Sequence, residues 1–321
     1  MDKQAYRTFP KLAMSCLPTP LHKLQKISNT YGAEVYCKRD DLTGFGFGGN
    51  KTRKLDYLIA DAKAKGADAI ITVGSNQSNF CRIAAAAGKV NDLDVYLLLG
   101  GKEPKKPTGN LLLVHLFGAK IHHLNTDDRD YWEQAAEKLE KKLKGEGKKT
   151  YRLPFGGSVP TGVLGYVDAF FEILEDCKKL NISFEVIIHA SGSGGTQAGL
   201  VVGQALTDWP GKIIGISVAE PAVKFFPFVY NLSLQTADLF KLSIKKDKIF
   251  IDDSYLGEKY GAKTEAAEQA IEIFAGQEGI LLDSVYTGKA ASALINYCQQ
   301  GKFKNKKILF LHTGGNIELF E

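Results

Sequence analysis

The sequence predicts an α/β fold with two lobes, each built around a parallel β-sheet. Short apolar runs alternate with helical runs along the 321-residue chain, as they do in doubly wound proteins. Two strand-like runs end in small-residue loops that lead directly into a helix. Because 44% of its residues are hydrophobic, a chain of this length can bury a large core, which we expect to be divided between two lobes.

The first series of elements begins with a strand at 34–39. A glycine-rich loop follows it and becomes a helix at Lys51, where apolar residues recur at helical spacing. Further strands are predicted at 69–73, 95–99 and 120–124, and helices at 79–87, 109–117 and 129–143.

A second series of elements follows, with strands predicted at 150–153, 184–190, 213–218 and 307–311. Helices are predicted between them at 163–180, 197–206, 264–277 and 289–299. We expect residues 1–53 and 153–321 to form the larger domain and residues 54–152 the smaller one. Because ligands of open α/β sheets bind beyond the carboxyl ends of the strands, both small-residue loops should lie at a site between the lobes.

The glycine-rich loop carries the most informative lysine of the chain, in Gly48-Gly49-Asn50-Lys51. Glycines allow positive φ and leave room for a flat ligand to lie close to the backbone. A lysine that is partly withdrawn from water loses some preference for its charged form and becomes a usable amine. Such an amine can form an imine with an aldehyde cofactor.

Two nucleotide-binding motifs are nearly present in the same loop. Residues 44–49 satisfy G-x-G-x-x-G, but Phe45 and Phe47 are poor lining for a pyrophosphate, and Asp68 precedes its strand instead of ending it. The following residues resemble the end of a P-loop, but Asn50 stands where glycine is required. A nucleotide-dependent oxidoreductase is therefore the alternative from a different class of enzyme.

A second loop can bind the phosphate group that such a cofactor would carry. The strand at 184–190 leads into Ser191-Gly192-Ser193-Gly194-Gly195-Thr196 and then into a helix. Free backbone N–H groups and the helix dipole favour an anion at such a helix start, and the hydroxyls of Ser193 and Thr196 would add donors. An imine-forming lysine together with a phosphate cup indicates pyridoxal 5′-phosphate, which needs both.

Composition disfavours several other classes of protein. The net charge is only +5, and the lysine cluster at 141–149 has no interleaved aromatic residues, so we expect no nucleic-acid partner. Five scattered cysteines without a Cys-x-x-Cys pair indicate a reducing compartment and no metal site. No signal peptide or membrane-spanning run is visible. We therefore expect a cytoplasmic protein that acts on a small molecule.

Five motifs occur in the order and spacing of one enzyme family: Gly48-Gly49-Asn50-Lys51, Gln77-Ser78-Asn79, Ser191–Thr196, Tyr286-Thr287-Gly288-Lys289 and His312-Thr313-Gly314-Gly315. In these motifs the chain resembles the 1-aminocyclopropane-1-carboxylate deaminase and D-cysteine desulfhydrase family. The similarity covers nearly the whole chain. It implies the two-lobed, three-layer fold of the tryptophan synthase β type, fold type II of the pyridoxal phosphate enzymes. It also implies a homodimer, with a smaller domain that closes over the substrate.

The resemblance also implies roles for single residues. Lys51 is similar to the lysine that binds the cofactor aldehyde and moves protons at the α-carbon of the substrate. Asn79 is similar to the asparagine that bonds the phenolic oxygen of the cofactor, and Thr313 falls by the pyridine nitrogen. The implied phosphate ligands are Ser193, Gly194, Gly195, Thr196 and Lys54. The implied substrate contacts are Gln77, Ser78, Asn79, Tyr286 and Thr287, of which Ser78 and Tyr286 are also catalytic.

Two threonines separate the branches of this family. The deaminases carry glutamate and leucine where this chain has Thr287 and Thr313, and threonine is the desulfhydrase pattern. A neutral hydroxyl near the ring nitrogen supports a weaker electron sink, which is enough when hydrosulfide leaves the β-carbon. The predicted reaction is α,β-elimination from D-cysteine or a similar β-substituted D-amino acid, which gives pyruvate, ammonia and hydrogen sulfide. The alternatives are a 1-aminocyclopropane-1-carboxylate deaminase, which gives 2-oxobutanoate, and a cysteate-type lyase.

One departure from the family pattern concerns phenylalanines near the site. Phe80 replaces the histidine that usually follows Gln-Ser-Asn, and Phe45 and Phe47 precede Lys51. These rings either line the substrate cleft or, in the case of Phe80, pack into the core of its own helix.

Overall fold

The computed structural model describes residues 5–321 and contains ten β-strands within them. The strands are β1 (Leu21–Lys23), β2 (Glu34–Arg39), β3 (Ala69–Ser75), β4 (Asp94–Gly100), β5 (Lys120–His123), β6 (Thr150–Arg152), β7 (Val186–Ser191), β8 (Lys212–Ser217), β9 (Phe250–Asp252) and β10 (Lys307–His312).

Ten α-helices connect the strands within the same described residues. They are α1 (Gln25–Tyr31), α2 (Asn50–Ala64), α3 (Asn79–Val90), α4 (Gly109–Leu116), α5 (Arg129–Gly145), α6 (Pro160–Leu180), α7 (Gly195–Thr207), α8 (Ala222–Asp238), α9 (Glu265–Glu278) and α10 (Thr287–Gln299).

The strands form two separate sheets. The larger sheet has six strands in the order β1-β2-β10-β7-β8-β9, and the smaller has four in the order β5-β4-β3-β6. Every strand pair is parallel except the edge pair β1–β2. The prediction of an α/β fold built on parallel sheets is confirmed. The smaller sheet lies between residues 69 and 152, while α2 runs across the predicted boundary at residue 53, so the division into domains stays a prediction.

Both sheets are covered on both faces, because successive residues of a buried strand point to opposite sides. In β10, Leu309 and Leu311 pack against α6, α7 and α8, whereas Ile308 and Phe310 pack against α9 and α10. The smaller sheet packs in the same way between α5 on one face and α2, α3 and α4 on the other. Each sheet is thus the middle layer of three.

This layering brings four strand ends to one place. Strands β2, β3, β7 and β10 each lead, at their carboxyl ends, into one of the loops that the sequence analysis singled out. In the described part of the chain, no helix is both long and apolar enough to span a membrane.

Candidate active site

A cavity of about 440 Å³ opens between the carboxyl ends of the two sheets. Eight of the residues predicted from sequence line it: Lys51, Ser78, Asn79, Ser193, Gly194, Thr196, Tyr286 and Thr313. Four others do not form its wall: Lys54, Gln77, Gly195 and Thr287.

Lys51 is the second residue of α2 and is partly buried. Burial, followed by the positive charge of Arg82, lowers the pKa of Lys51 to about 8. About one tenth of this amine is therefore uncharged at pH 7, far more than in a free lysine, and this form can act as a nucleophile or a base.

The start of α2 is fixed by contacts to two other loops. The backbone N–H of Asn50 donates to the carbonyl oxygen of Thr313 at 2.9 Å, and its Nδ2 donates to Oγ1 of Thr196 at 3.0 Å. Gly49 and Gly314 lie back to back, with φ of +105° and +88°, and a Cβ atom at Gly314 would lie 2.7 Å from the Cα of Gly49. Gly314 therefore has no room for a Cβ atom, whereas Gly49 requires glycine chiefly for its positive φ, since a Cβ atom there would lie 3.3 Å from the carbonyl oxygen of Thr313.

The loop after β7 forms a cup at the first turn of α7. Gly194 precedes the helix with φ of +74°, and the side chains of Ser193 and Thr196 line the cavity beside it. The hydroxyl of Ser158 donates to that of Ser193 at 3.0 Å. Free backbone N–H groups, hydroxyls and the helix dipole make this cup suitable for a phosphate.

Lys54 lies behind the cup and not on the cavity wall. Its Nζ donates to the carbonyl oxygen of Gly156 at 3.1 Å, and a Cβ atom at Gly195 would lie 2.6 Å from that Nζ. Burial and the charge of Lys51 hold the pKa of Lys54 well below that of a free lysine. An anion in the cup would favour the charged form of this amine.

Ser78 and Asn79 begin helix α3. Oγ of Ser78 caps the helix by accepting from the backbone N–H of Cys81 at 3.1 Å, and Oδ1 of Asn79 accepts from Arg82 at 2.8 Å. Gln77 is used differently, because its Oε1 accepts from the backbone N–H of Asn110 at 2.8 Å. Gln77 therefore holds the start of α4 instead of facing the cavity.

Tyr286 lies at the cavity wall with its hydroxyl in hydrogen-bond contact with that of Tyr260. Burial, together with Tyr260, raises the pKa of Tyr286 well above its ordinary value. The neighbouring Thr287 turns inward, where its hydroxyl donates to Asp283 at 2.5 Å and is fully buried. The structure thus brings Tyr286 to the site and leaves Thr287 beneath it.

The predicted phenylalanines have different positions. Phe80 both lines the cavity and packs into the core of the smaller sheet, with 2% of its surface exposed. Phe45 and Phe47 are not part of the wall, and Phe47 is 67% exposed. Of the three rings, only Phe80 lines the cleft, and the expectation that Phe45 and Phe47 line it as well is wrong.

Several residues of the wall were not predicted from the sequence, including Arg82, Asp127, Arg129, Trp132, Phe155, Lys259 and Tyr260. Arg82 carried a usable signal, because it is a charged residue inside an otherwise apolar helical run. Tyr260 lies in an irregular segment without a motif, so only the folded chain shows that it meets Tyr286.

The donor set fits a ligand that carries an aldehyde and a phosphate. An amine with a lowered pKa lies in the same cavity as the cup of N–H and hydroxyl donors. Among residues 5–321, no group of three or more His, Cys, Asp or Glu side chains could hold a metal ion.

Comparison with known proteins agrees with this chemistry. Residues 12–314 match the family model described as pyridoxal-phosphate dependent enzyme. A putative 1-aminocyclopropane-1-carboxylate deaminase from Pyrococcus abyssi is 39% identical over 97% of this chain and 93% of its own length. A D-cysteine desulfhydrase from Klebsiella pneumoniae is 38% identical over 100% of this chain and 98% of its own length.

Solved structures show the same relationship. The crystal structure of an ACC deaminase homologue superimposes with a TM-score of 0.92 and 38% identity, covering 99% of this chain and 96% of that one. Threonine deaminase isoform 2 from Solanum lycopersicum, 16% identical with a TM-score of 0.70, shares the fold; the match covers 97% of this chain and 83% of that one. Relatives of nearly equal similarity thus carry two different names, and these comparisons leave the substrate open.

Proposed function

The chain belongs to the pyridoxal-phosphate dependent enzyme family, and on that premise we propose that it removes the β-substituent of a small D-amino acid, with D-cysteine as substrate. Hydrogen sulfide leaves from the β-carbon, and water then hydrolyses the remaining aminoacrylate to pyruvate and ammonia. The observation that carries this proposal is the pair Thr287 and Thr313, at positions where the resembling deaminases have glutamate and leucine. Thr313 presents a neutral hydroxyl on the cavity wall, and Thr287 has a neutral hydroxyl in place of the carboxyl group that the deaminases have there.

The residues of this chain divide the work of such a reaction. Pyridoxal 5′-phosphate, when bound, supplies the electron sink that allows the α-proton and the β-substituent to leave. The cup at 193–196, with Lys54 behind it, would hold the phosphate. Lys51, with a pKa of about 8, is suited to take the proton from the α-carbon.

The carboxylate end of the substrate would lie at the start of α3. The hydroxyl of Ser78 accepts one hydrogen bond within the helix cap, so its own proton is still available to a carboxylate. The hydroxyl pair of Tyr286 and Tyr260 lies on the wall of the same cavity. We assign this pair to proton transfer at the substrate.

The proposal includes three further features: a homodimer, implied by the family resemblance, a cytoplasmic location, expected from the composition, and a division into residues 1–53 with 153–321 and residues 54–152. The two-sheet architecture supports the division. Light scattering on purified protein measures the dimer directly.

The substrate is tested with a panel of D-cysteine, L-cysteine, β-chloroalanine, cysteate and 1-aminocyclopropane-1-carboxylate. We expect sulfide and pyruvate from D-cysteine. Formation of 2-oxobutanoate from the cyclopropane acid, without sulfide from D-cysteine, would favour the deaminase, which the name of the Pyrococcus abyssi relative supports.

The lysine is tested by borohydride reduction and peptide mass mapping. The reduced cofactor should be found on Lys51 in the wild type and on no peptide of Lys51→Ala, which should also lose all activity on the panel because it lacks the amine. Lys63→Ala, in the exposed part of the same helix, is the matched control and should keep both. An active Lys51→Ala enzyme would refute the assignment.

A further inference from the structure

Arg82 is a fully buried arginine, with 1% of its surface exposed, that lines the cavity without a carboxylate partner. It donates to three neutral oxygens: the carbonyl of Gly48 at 2.7 Å, Oδ1 of Asn79 at 2.8 Å and Oδ1 of Asn110 at 2.7 Å. Within residues 5–321 it forms no ion pair. The acid that acts on it electrostatically is Glu318, but burial raises the pKa of Glu318 to about 11, so this carboxyl is uncharged at neutral pH and does not balance the guanidinium.

Arg53 shows what a purely structural arginine looks like in this chain. It is equally buried, but its guanidinium pairs with Asp40 at 2.8 Å and with Glu172 at 2.9 Å. A buried charge without a partner costs free energy. Burial lowers the pKa of Arg82 to about 10, so the guanidinium is still charged at neutral pH and this cost is present in the folded protein.

The hydrogen bonds of Arg82 determine which way the Asn79 amide faces. A guanidinium can only donate, so the oxygen of Asn79 must point toward Arg82. The NH₂ group of Asn79 is then the part that the residue can offer to a ligand in the cavity. The bond to Gly48 ties the same guanidinium to the loop that carries Lys51.

We propose that Arg82 is a positioning residue of this site. It orients the Asn79 amide so that its NH₂ meets the phenolic oxygen of pyridoxal 5′-phosphate, and it places a positive charge for an anionic ligand beside Lys51. This inference rests on the proposed function, because it assigns the Asn79 amide to the cofactor. The charge of Arg82 also favours the uncharged form of Lys51, so one side chain serves both groups.

The first experiment is a double-mutant cycle on cofactor affinity, measured by fluorescence titration of apoenzyme with pyridoxal 5′-phosphate. Arg82→Met and Asn79→Ala should each weaken binding about tenfold. The double variant should be no weaker than the weaker single variant, since both remove the same contact. The proposal would be overturned if the losses of cofactor affinity in the two single variants multiplied in the double variant. It would also be overturned if Arg82→Met bound the cofactor as tightly as wild type.

The second experiment needs no bound cofactor. Competitive acetylation of the apoenzyme over a pH series, followed by peptide mass spectrometry, gives the titration midpoint of each lysine. We expect Arg82→Met to raise the midpoint of Lys51 by about one pH unit and to leave the exposed Lys63 unchanged. A purely structural role of Arg82 would leave the Lys51 midpoint unchanged. An unchanged midpoint would therefore contradict the electrostatic part of the proposal.

Arg82→Lys keeps the test decisive if Arg82→Met does not fold, which thermal unfolding would show. It should preserve the Lys51 midpoint, because the charge remains, and should still weaken cofactor binding, because an ammonium lacks the planar fork. Wild-type affinity in Arg82→Lys would overturn the orienting role. Failure of the wild type to bind the cofactor would refute the proposed function instead and would leave the acetylation result standing.

Discussion

At the scale of single residues, the chemistry of the site depends on burial more than on residue type. Lys51 and Lys54 lie one helical turn apart in α2, and burial lowers the pKa of each. Lys51 faces the cavity, whereas Lys54 faces the back of the cup. The different roles that we propose for two identical side chains, nucleophile and counter-charge, rest on this difference in position.

The hydroxyl pair gives a prediction for one atom. Tyr286→Phe removes the hydroxyl that contacts Tyr260 and should lower kcat by about 100-fold, while the bound cofactor keeps its absorbance. Steady-state kinetics and spectra of the purified variant measure both.

Tyr131→Phe is the control for this prediction, because that tyrosine is 50% exposed on α5 and away from the cavity wall. It should behave as wild type. A Tyr286→Phe enzyme within about twofold of wild type would show that the hydroxyl transfers no essential proton.

Much of the site could be predicted from sequence, because its residues come in short contiguous motifs. Lys51 follows its glycines directly, and Ser193 to Thr196 follow a recognisable strand. The predictions fail where a role depends on side-chain direction. Thr287 and Gln77 stand within motifs, but Thr287 is buried in a hydrogen bond to Asp283, and the half-buried Gln77 bonds the start of α4.

At the scale of elements, the turn from β7 into α7 is the part that prepares the site for an anion. The helix begins with Gly195, and the Nζ of Lys54 lies where a side chain at that position would be. The glycine thus lets an amine approach the first turn of the helix from behind.

Gly195→Ala tests this arrangement. The added Cβ would lie 2.6 Å from Nζ of Lys54, so it should displace the amine from the cup and weaken cofactor binding about tenfold. The fold should be affected little, because the far end of a flexible side chain can move. Fluorescence titration and thermal unfolding measure the two effects separately.

Gly276→Ala is the matched control in another helix, α9, where a Cβ atom meets nothing within 4 Å. It should leave cofactor affinity unchanged and stabilise the protein by about 0.5–1 kcal/mol. Equal affinity in the two variants would mean that Lys54 contributes nothing to the cup.

The elements that sequence analysis missed are the short or irregular ones. Strands β1 and β9 have three residues each, and α1 has seven, too few for a period to be recognised. Helix α8 contains Pro227 in its interior, and proline normally predicts the end of a helix. Tertiary packing outweighs that local preference here, since Phe225 and Val229 on either side are buried in the core.

At the scale of the whole molecule, a buried ionic network joins β2 and α6 to the helix that carries Lys51. Lys38 of β2 lies 2.6 Å from both Glu172 and Asp176 of α6, and Arg53 of α2 pairs with Glu172 and Asp40. Removing one member of such a network leaves another charge buried and unpaired. The orientation of α2 at the cavity therefore depends on contacts on its far side.

This network predicts how stability changes in acid. Burial alone would raise the pKa of Glu172, but the hydrogen bonds and charges of Arg53 and Lys38 outweigh it and lower the pKa from 4.5 to about 2. A lowered carboxyl pKa stabilises the folded state above pH 4.5, and this contribution is lost as pH falls toward 2. It amounts to about 3 kcal/mol.

Urea unfolding between pH 6 and about 3 measures this contribution. Glu172→Gln should be less stable than wild type at pH 6 and should lose less stability on acidification. Glu175→Gln, on the same helix but 53% exposed, should follow the wild-type curve. Parallel curves for Glu172→Gln and wild type would show that Glu172 is not the acid-sensitive group.

The contact between Gly49 and Gly314 constrains how this protein can evolve. Gly314 cannot become larger, because a Cβ atom there would meet the main chain of Gly49, and Gly49 is restricted to glycine by its φ of +105°. A change at one position cannot compensate for a change at the other, because neither constraint involves a side chain. Homologues should therefore keep both glycines, although the two codons lie far apart in the gene. New substrate preferences would have to arise by replacing side chains such as that of Phe80, while the contact between Gly49 and Gly314 stays unchanged.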